Sequence, residues 1–279
     1  MTGAALRKLP LERGDGRAEI GFAPAPGGAR LAHLYQRTPL RALFPAPEPD
    51  DLPLAVLVTT SGGIAGGDRL ALDLEIEAKA RAVVLSQAAE KVYRSTGDDA
   101  TIDVAIDVGR DAWLEWLPQE TILFDGARLR RRFAISLADD ARMLACDAVV
   151  LGRRARGEAF RHGLLHDRWE LRRSGELVWA DALRLDDPRT IDHPAGLGGA
   201  AAFGTVLFAG SGAAEALALM RELTDGFARA GATRIGDLAI ARLMADDPAA
   251  LRAKLGEILA TIRAELAGLP RRLPKLWQC

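Results

Sequence analysis

Three stretches of this chain, LDLEIEAKARAVVL, IDVAIDVGRDAWLEW and FAISLADDARMLAC, follow one plan: an alternating strand, a polar turn, then a second apolar strand. Leu70, Leu72, Leu74 and Ile76 alternate with other residues, as do Ile102, Val104, Ile106 and Val108, and then Phe133, Ile135 and Leu137. A period of two puts these side chains on one side of each strand, so every strand has a face to bury. The spacing makes Ile76, Ile106 and Leu137 equivalent, 30 and 31 residues apart. A two-strand unit with one apolar face cannot shelter it alone and must stack on its neighbours. Two architectures meet that demand: a β-helix-like stack of strands, or an antiparallel meander of hairpins whose spacing is coincidental.

The remaining elements extend the β character and then end it. Residues 54–60 and Arg81–Ser86 are short apolar runs, as strands covered on both faces require. Trp169, Leu171 and residues 177–185 continue the pattern, with Ser174-Gly175 as a hairpin-like turn. Farther on, Leu217, Met220, Leu223 and Phe227 share one helical face, and so do Leu251, Leu255, Ile258, Ile262 and Leu266. Asp247-Pro248 predicts the start of the second helix, Asp as cap and Pro in the first turn. The chain is therefore expected to be mainly β: a single domain over residues 1–279, mainly β over 1–210 and mainly helical over 211–279. Strands and helices do not alternate, which excludes a doubly wound nucleotide-binding sheet.

Charge and cysteine content narrow the function classes. With 37 basic and 38 acidic residues the formal charge is −1, without the basic excess of a nucleic-acid binder. The two cysteines, Cys146 and Cys279, offer no disulfide framework and point to a reducing compartment. Residues 1–13 carry early charges and no long apolar core, unlike a secretory signal. Residues 194–214 are uncharged, but Pro194 and the Gly-Leu-Gly-Gly run break any helix early. That stretch is expected to be a loop followed by a buried strand over residues 203–208, so a cytoplasmic protein without a membrane span is expected.

Several motifs bear on chemistry. The segment from Thr60 to Arg69, TSGGIAGGDR, ends in Asp-Arg and leads into a strand, so it is neither a Walker loop nor a dinucleotide fingerprint. Its four glycines imply backbone bends or close chain packing. His162 and His166 have ligand spacing only on a helix, which Gly163 and the flanking β pattern disfavour, so a surface pair is expected. Lys91 to Ser95, KVYRS, is either an exposed edge or a solvated turn, and Arg128 to Arg132 is a local basic cluster. Glu120, Asp125, Asp147 and Asp181 stand in apolar context. A buried carboxylate must be paired, protonated or in contact with water. Arg128, Arg130, Arg131, Arg153, Arg154 and Arg184 are nearby in sequence. Structural ion pairs and a polar interior path both remain open, as does a hydrolase using the carboxylates around Glu120 and Asp147.

The blocks SGGIAGGDRLALDLEIEAKARAVVLSQAAEKVYRS, WLPQETILFDGARLRRRF and LGRRARGEAF, the Trp169/Trp179 region and the terminal LPKLW together resemble the urease accessory protein UreD family, also called UreH. The likeness runs from about Leu34 to Asp187, and its most specific piece is LPQETILFDGA, residues 117–127. The resemblance implies a non-catalytic maturation factor built as a β-helix-like stack with a small helical part. It also implies partnership with UreF, the GTPase UreG and apo-urease, to which Ni2+ is delivered. No cofactor is held permanently, Ni2+ is in transit, and GTP belongs to UreG. The resemblance also implies a polar tunnel through the subunit as the nickel route. On that likeness Asp68, Glu120, Asp125, Asp147, Glu158 and Asp181 become the candidate metal-path residues, with Asp68, Asp147 and Asp181 the expected lining of a water-filled channel. Apolar surface exposed without a partner is expected to make the chain aggregate alone.

Overall fold

Alternation in the sequence is realised as two facing sheets in a computed structural model that describes residues 12–278. The chain opens with β1 (Asp15–Ala25), β2 (Gly28–Arg37), β3 (Leu40–Leu43) and β4 (Leu54–Thr59). The repeated units follow as β5 (Arg69–Ile76) with β6 (Arg81–Ser86), then a short β7 (Glu90–Val92). Next come β8 (Ala100–Val108) with β9 (Trp113–Leu117), a short β10 (Thr121–Leu123), and β11 (Arg128–Leu137) with β12 (Arg142–Leu151). A hairpin of β13 (Leu164–Arg173) and β14 (Glu176–Leu185) precedes the short helix α1 (Pro188–Asp192). The chain ends with β15 (Ala202–Ala209), α2 (Ala213–Thr224), β16 (Ala230–Ile235), β17 (Leu238–Ala245) and α3 (Pro248–Ala267).

The first member of each unit joins one sheet and the second member joins the other. The first sheet runs β14-β13-β11-β8-β5-β1-β2, and the second runs β16-β17-β15-β12-β9-β6-β4-β3, with β10 on β12 and β7 on β10. Pairing is parallel among β1, β5, β8, β11 and β13, and among β4, β6, β9 and β12. Antiparallel strands close both ends of each sheet. The chain thus climbs one rung per unit, a β-helix-like stack, and the meander alternative falls.

The register differs from the one spacing suggests. Ile76 and Leu137 both pair with Val108, while Ile106 pairs with Leu74 and Ile135. The equivalence of Ile76, Ile106 and Leu137 is therefore two residues out at its middle member. A two-residue shift leaves every side chain on the same face, so alternation alone does not distinguish the two registers. Turn length decides it: residues 77–80, 109–112 and 138–141 are each four-residue connections.

Two apolar layers result. One fills the space between the sheets, with Leu72, Ile106, Phe133 and Met143 among its members. The other lies between the second sheet and the helices, joining Trp113, Leu144 and Phe208 to Leu255, Ile258 and Ile262. Strand β12 contributes to both, which is why its interior is apolar at successive positions apart from Asp147. Gly204 on β15 marks the close approach of α3, since a Cβ there would lie 2.9 Å from Leu255 Cδ1.

The C-terminal region is helical as expected but also holds a β-hairpin. Asp247 caps α3, accepting from the Ala249 N–H at 2.9 Å, with Pro248 in the first turn. The preceding helix stops short of Phe227: α2 ends at Thr224, whose hydroxyl donates back to the Met220 carbonyl at 2.7 Å, and Gly226 takes φ 74°. Strands β16 and β17 then turn at Gly236, φ 57°, within residues 211–279. The β17 run is mostly buried, which hides its alternation. Residues 194–201 are turns and loop before β15, as expected. Among the described residues no helix is long and apolar enough to cross a membrane. The N-terminal residues 1–11, where a secretory signal is not expected, and Cys279 lie outside the described residues.

Candidate functional site

Strand β11 should present apolar residues inward at alternate positions, and it does so at Leu129, Phe133 and Ile135. Between them it turns an arginine into the interior, Arg131, only 6% exposed. Its neighbour β13 does the same with Asp167, directly opposite Arg131 in the register, and β12 turns Asp147 inward from the facing sheet. The guanidinium joins all three strands. Its Nε and Nη2 donate to Asp167 Oδ1 and Oδ2 at 3.0 and 2.6 Å. Its Nη1 and Nη2 donate to Asp147 Oδ1 and Oδ2 at 2.8 and 2.6 Å, and Nη1 also donates to Thr121 Oγ1 of β10 at 3.2 Å. All five guanidinium N–H groups are thereby used. Phe133 lies under the guanidinium at 5.0 Å and stacks on Trp169 at 4.0 Å.

Burial opposes the charge on Arg131, but the two carboxylates outweigh it and raise the guanidinium pKa further. For Asp147 burial dominates: its carboxyl pKa is raised despite Arg131, with Asp167 adding to the rise. Two buried carboxylates share one cation, so the cluster is left short of positive charge.

This cluster stands between two cavities that run along the space between the sheets. The first, about 280 Å³, meets Arg131 and Thr121 at its inner end and has Glu90, Thr59, Gln119 and Lys91 in its wall. The second, about 610 Å³, meets Asp147 and Asp167 and has Asp181, Thr205 and Arg242 in its wall. Asp147, Thr205 and Arg242 sit side by side across β12, β15 and β17, which makes one polar stripe on that wall. Arg242 Nη2 donates to Asp181 Oδ2 at 2.5 Å. In the first cavity the Thr59 hydroxyl donates to Glu90 at 2.6 Å, while burial raises the Glu90 carboxyl pKa.

The raised pKa has a definite sign for stability. An acid whose folded pKa exceeds its unfolded value weakens the fold above the folded pKa, and that penalty vanishes below the unfolded value. Glu90→Gln is expected to raise Tm by roughly 2 °C at pH 7 and to match the parent below about pH 4. Thermal melts at the two pH values check this, and a lower Tm at pH 7 would contradict it.

Of the six candidate path residues, Asp147 and Asp181 line the second cavity. The other four hold the scaffold elsewhere. Asp68 is buried in a turn, accepting from the Gly14 and Ala65 N–H groups at 2.7 and 2.8 Å. Glu120 lies on the helix side of the second sheet, paired with Arg252 of α3 at 3.2 Å. Asp125 accepts from the Arg161 and His162 N–H groups at 2.8 and 3.1 Å and pairs with Arg94. Its own N–H donates to Glu158, whose carboxyl pKa is held at about 2 chiefly by Arg153. His162 meets Asp125 at 3.0 Å and His166 lies 3.1 Å from Arg130 Nη1, so the two do not share a helix and do not converge. Among the described residues no group of three or more His, Cys, Asp or Glu is placed to hold a metal ion.

The glycine-rich motif and KVYRS pack on each other at the first cavity. Ile64 N–H donates to the Lys91 carbonyl, Tyr93 N–H to the Ile64 carbonyl, and the Tyr93 hydroxyl to the Gly62 carbonyl, all within 2.8 Å. A Cβ at Gly63 would lie 2.7 Å from the Tyr93 ring, so close packing is what the glycine allows. Sequence reasoning missed Arg131 as an interior residue, and with it Asp167 and Glu90. Alternation between Leu129 and Phe133 carried the signal for Arg131, and that between Leu165 and Trp169 carried it for Asp167.

A sequence model of the family described as UreD urease accessory protein matches residues 14–278. The chain belongs to the UreD urease accessory protein family. It is 46% identical to the urease accessory protein UreD of Granulibacter bethesdensis, covering 84% of this chain and 99% of that one. The UreD of Magnetococcus marinus is 42% identical, with 96% of this chain and 95% of the relative aligned. That of Rhodopseudomonas palustris strain BisB5 is 44% identical over 98% and 95%. A UreD protein is by its family description an accessory to urease.

Proposed function

We propose that this chain is a cytoplasmic, non-catalytic urease maturation factor that acts with UreF and the GTPase UreG and passes Ni2+ toward apo-urease. Family membership supports the maturation role. The single observation that carries the passage is the pair of cavities on either side of the Arg131 cluster, with a carboxylate in the first and three in the second. Glu90 stands in the first, Asp147 and Asp167 at the junction, and Asp181 in the second. Carboxylate oxygens hold Ni2+ less firmly than imidazole or thiolate, which suits a cargo that must leave each station. Leu31, Leu34, Tyr35 and Leu43 are exposed on β2 and β3, at one end of both sheets. Such surface fits a chain that works inside a complex.

A hydrolase reading fares worse on geometry. Asp147 faces the space between the sheets and Glu120 faces α3, so the two carboxylates lie on opposite sides of the second sheet. Each is already engaged by an arginine, Asp147 by Arg131 and Glu120 by Arg252.

The test is urease activity in cells carrying the cognate operon with this gene alone deleted and excess nickel supplied. Urease is expected to accumulate as nickel-poor apoprotein and to be restored by the gene. Thr205→Trp, which puts an indole between Asp147 and Arg242, is expected to cut restored activity by about tenfold or more, with the chain still accumulating. Full activity without the gene would overturn the maturation role. Full restoration by Thr205→Trp would overturn the passage through the second cavity.

A further inference from the structure

The Arg131 cluster has the geometry of an occupied cation position. Nη2 lies 2.6 Å from Asp147 Oδ2 and 2.6 Å from Asp167 Oδ2, on strands of opposite sheets. Thr121 Oγ1 is 3.2 Å from the neighbouring Nη1. Oxygens of three side chains therefore converge where the guanidinium sits, and a small dication in its place would draw them about 0.5 Å closer than the 2.6 Å they keep from Nη2. Without the guanidinium the two carboxylates would form a buried pair of like charge facing one point, and such a pair favours a dication strongly. A passage with that property would hold its cargo. With five donors engaged, the arginine leaves neither carboxylate free.

We propose that Arg131 sets the residence of a divalent cation at the junction of the two cavities, by occupying Asp147 and Asp167 so that the cation crosses without being retained. This rests on the transit role proposed above, and it adds a residue whose charge acts on the cargo through the two carboxylates it holds. Lysine at this position keeps the charge but not the planar fork, and its ammonium cannot engage both carboxylates in bidentate fashion. Arg131→Lys therefore partly frees the pair while leaving the interior with a counter-charge.

Equilibrium dialysis of the full chain against Ni2+ alone reads the effect. Arg131→Lys is expected to bind one Ni2+ about tenfold more tightly than the parent, and Arg131→Gln, where it folds, more tightly still. Adding Asp147→Asn to Arg131→Lys should abolish the gain. In cells at limiting nickel, Arg131→Lys should restore less urease activity than the parent, because the cargo lingers. Unchanged Ni2+ affinity in Arg131→Lys, or a gain that survives Asp147→Asn, overturns the proposal. A failed transit role shows separately, as full restoration by Thr205→Trp.

Discussion

Arg263→Leu is expected to destabilise the chain by about 3–5 kcal/mol, the cost of stripping a buried ion cluster of the cation bonded to both its carboxylates. Arg263 of α3 is wholly buried between the helix and the second sheet. Its Nη2 lies 2.6 Å from Asp51 and 3.0 Å from Glu115, and Nη1 also donates to the Arg272 carbonyl. Burial raises the Glu115 pKa, against the pull of Arg263. Leucine would leave Glu115 and Asp51 without the guanidinium bonded to both, and the Arg272 carbonyl without that donor. Against a total of about 5–15 kcal/mol for a typical domain, that loss is a large fraction. Urea unfolding measures it, and hydrogen exchange should show the loss first in α3, which this cluster fastens to β9. Replacing Glu115 by Leu and Asp51 by Asn in the same chain should recover most of the loss, because no buried charge then remains. A cost below about 1 kcal/mol for Arg263→Leu would place the cluster among exposed pairs and contradict its burial.

The strands were legible because one face of each is buried against the other sheet. Leu70, Leu72 and Leu74 could not alternate for any other reason, and the two-strand units on either side of four-residue turns follow from that. Asp147 was legible for a related reason: an acid inside a run covered on both faces stands out. Glu115 stands out equally in WLEWL, where all five residues are buried. Arg131 was hidden by its neighbours, since Arg128, Arg130 and Arg132 are half-buried or exposed and make the segment look uniformly solvated. Its partnership with Asp167 required the β11–β13 register, which alternation leaves undetermined by two residues. Asp68 and Asp125 lie in the segments most like the family, yet they serve backbone N–H groups in turns. A motif match marks residues that the local chain needs, and only the fold separates those that line a cavity from those that hold a turn.

Charge counting in the Arg131 cluster leads to the second large effect. Asp147→Asn removes one of two negative charges and leaves Arg131 and Asp167 as a balanced pair still joined at 2.6 Å. Neutralising Asp147 loses hydrogen bonds to a charged group but also relieves the burial that raises its pKa, so the net cost is expected to be about 1 kcal/mol. Arg131→Leu removes the single positive charge and leaves two carboxylates, both with side chains under a tenth exposed. The expected cost is about 3–5 kcal/mol. The two deficits should also answer differently to acid. In Arg131→Leu the unpaired carboxylates gain stability by taking up protons, because burial and mutual repulsion both raise their pKa once the cation is gone. Linkage then requires the deficit relative to the parent to shrink as pH falls from 7 to 5. Asp147→Asn has lost the carboxyl whose raised pKa lets the parent gain stability in acid, so its deficit should hold or widen over that range. Urea midpoints of the three chains at pH 7 and pH 5 decide the matter. Equal deficits for the two variants at pH 7, or a deficit in Arg131→Leu that does not shrink in acid, would mean that the carboxylates do not depend on Arg131 for their charge.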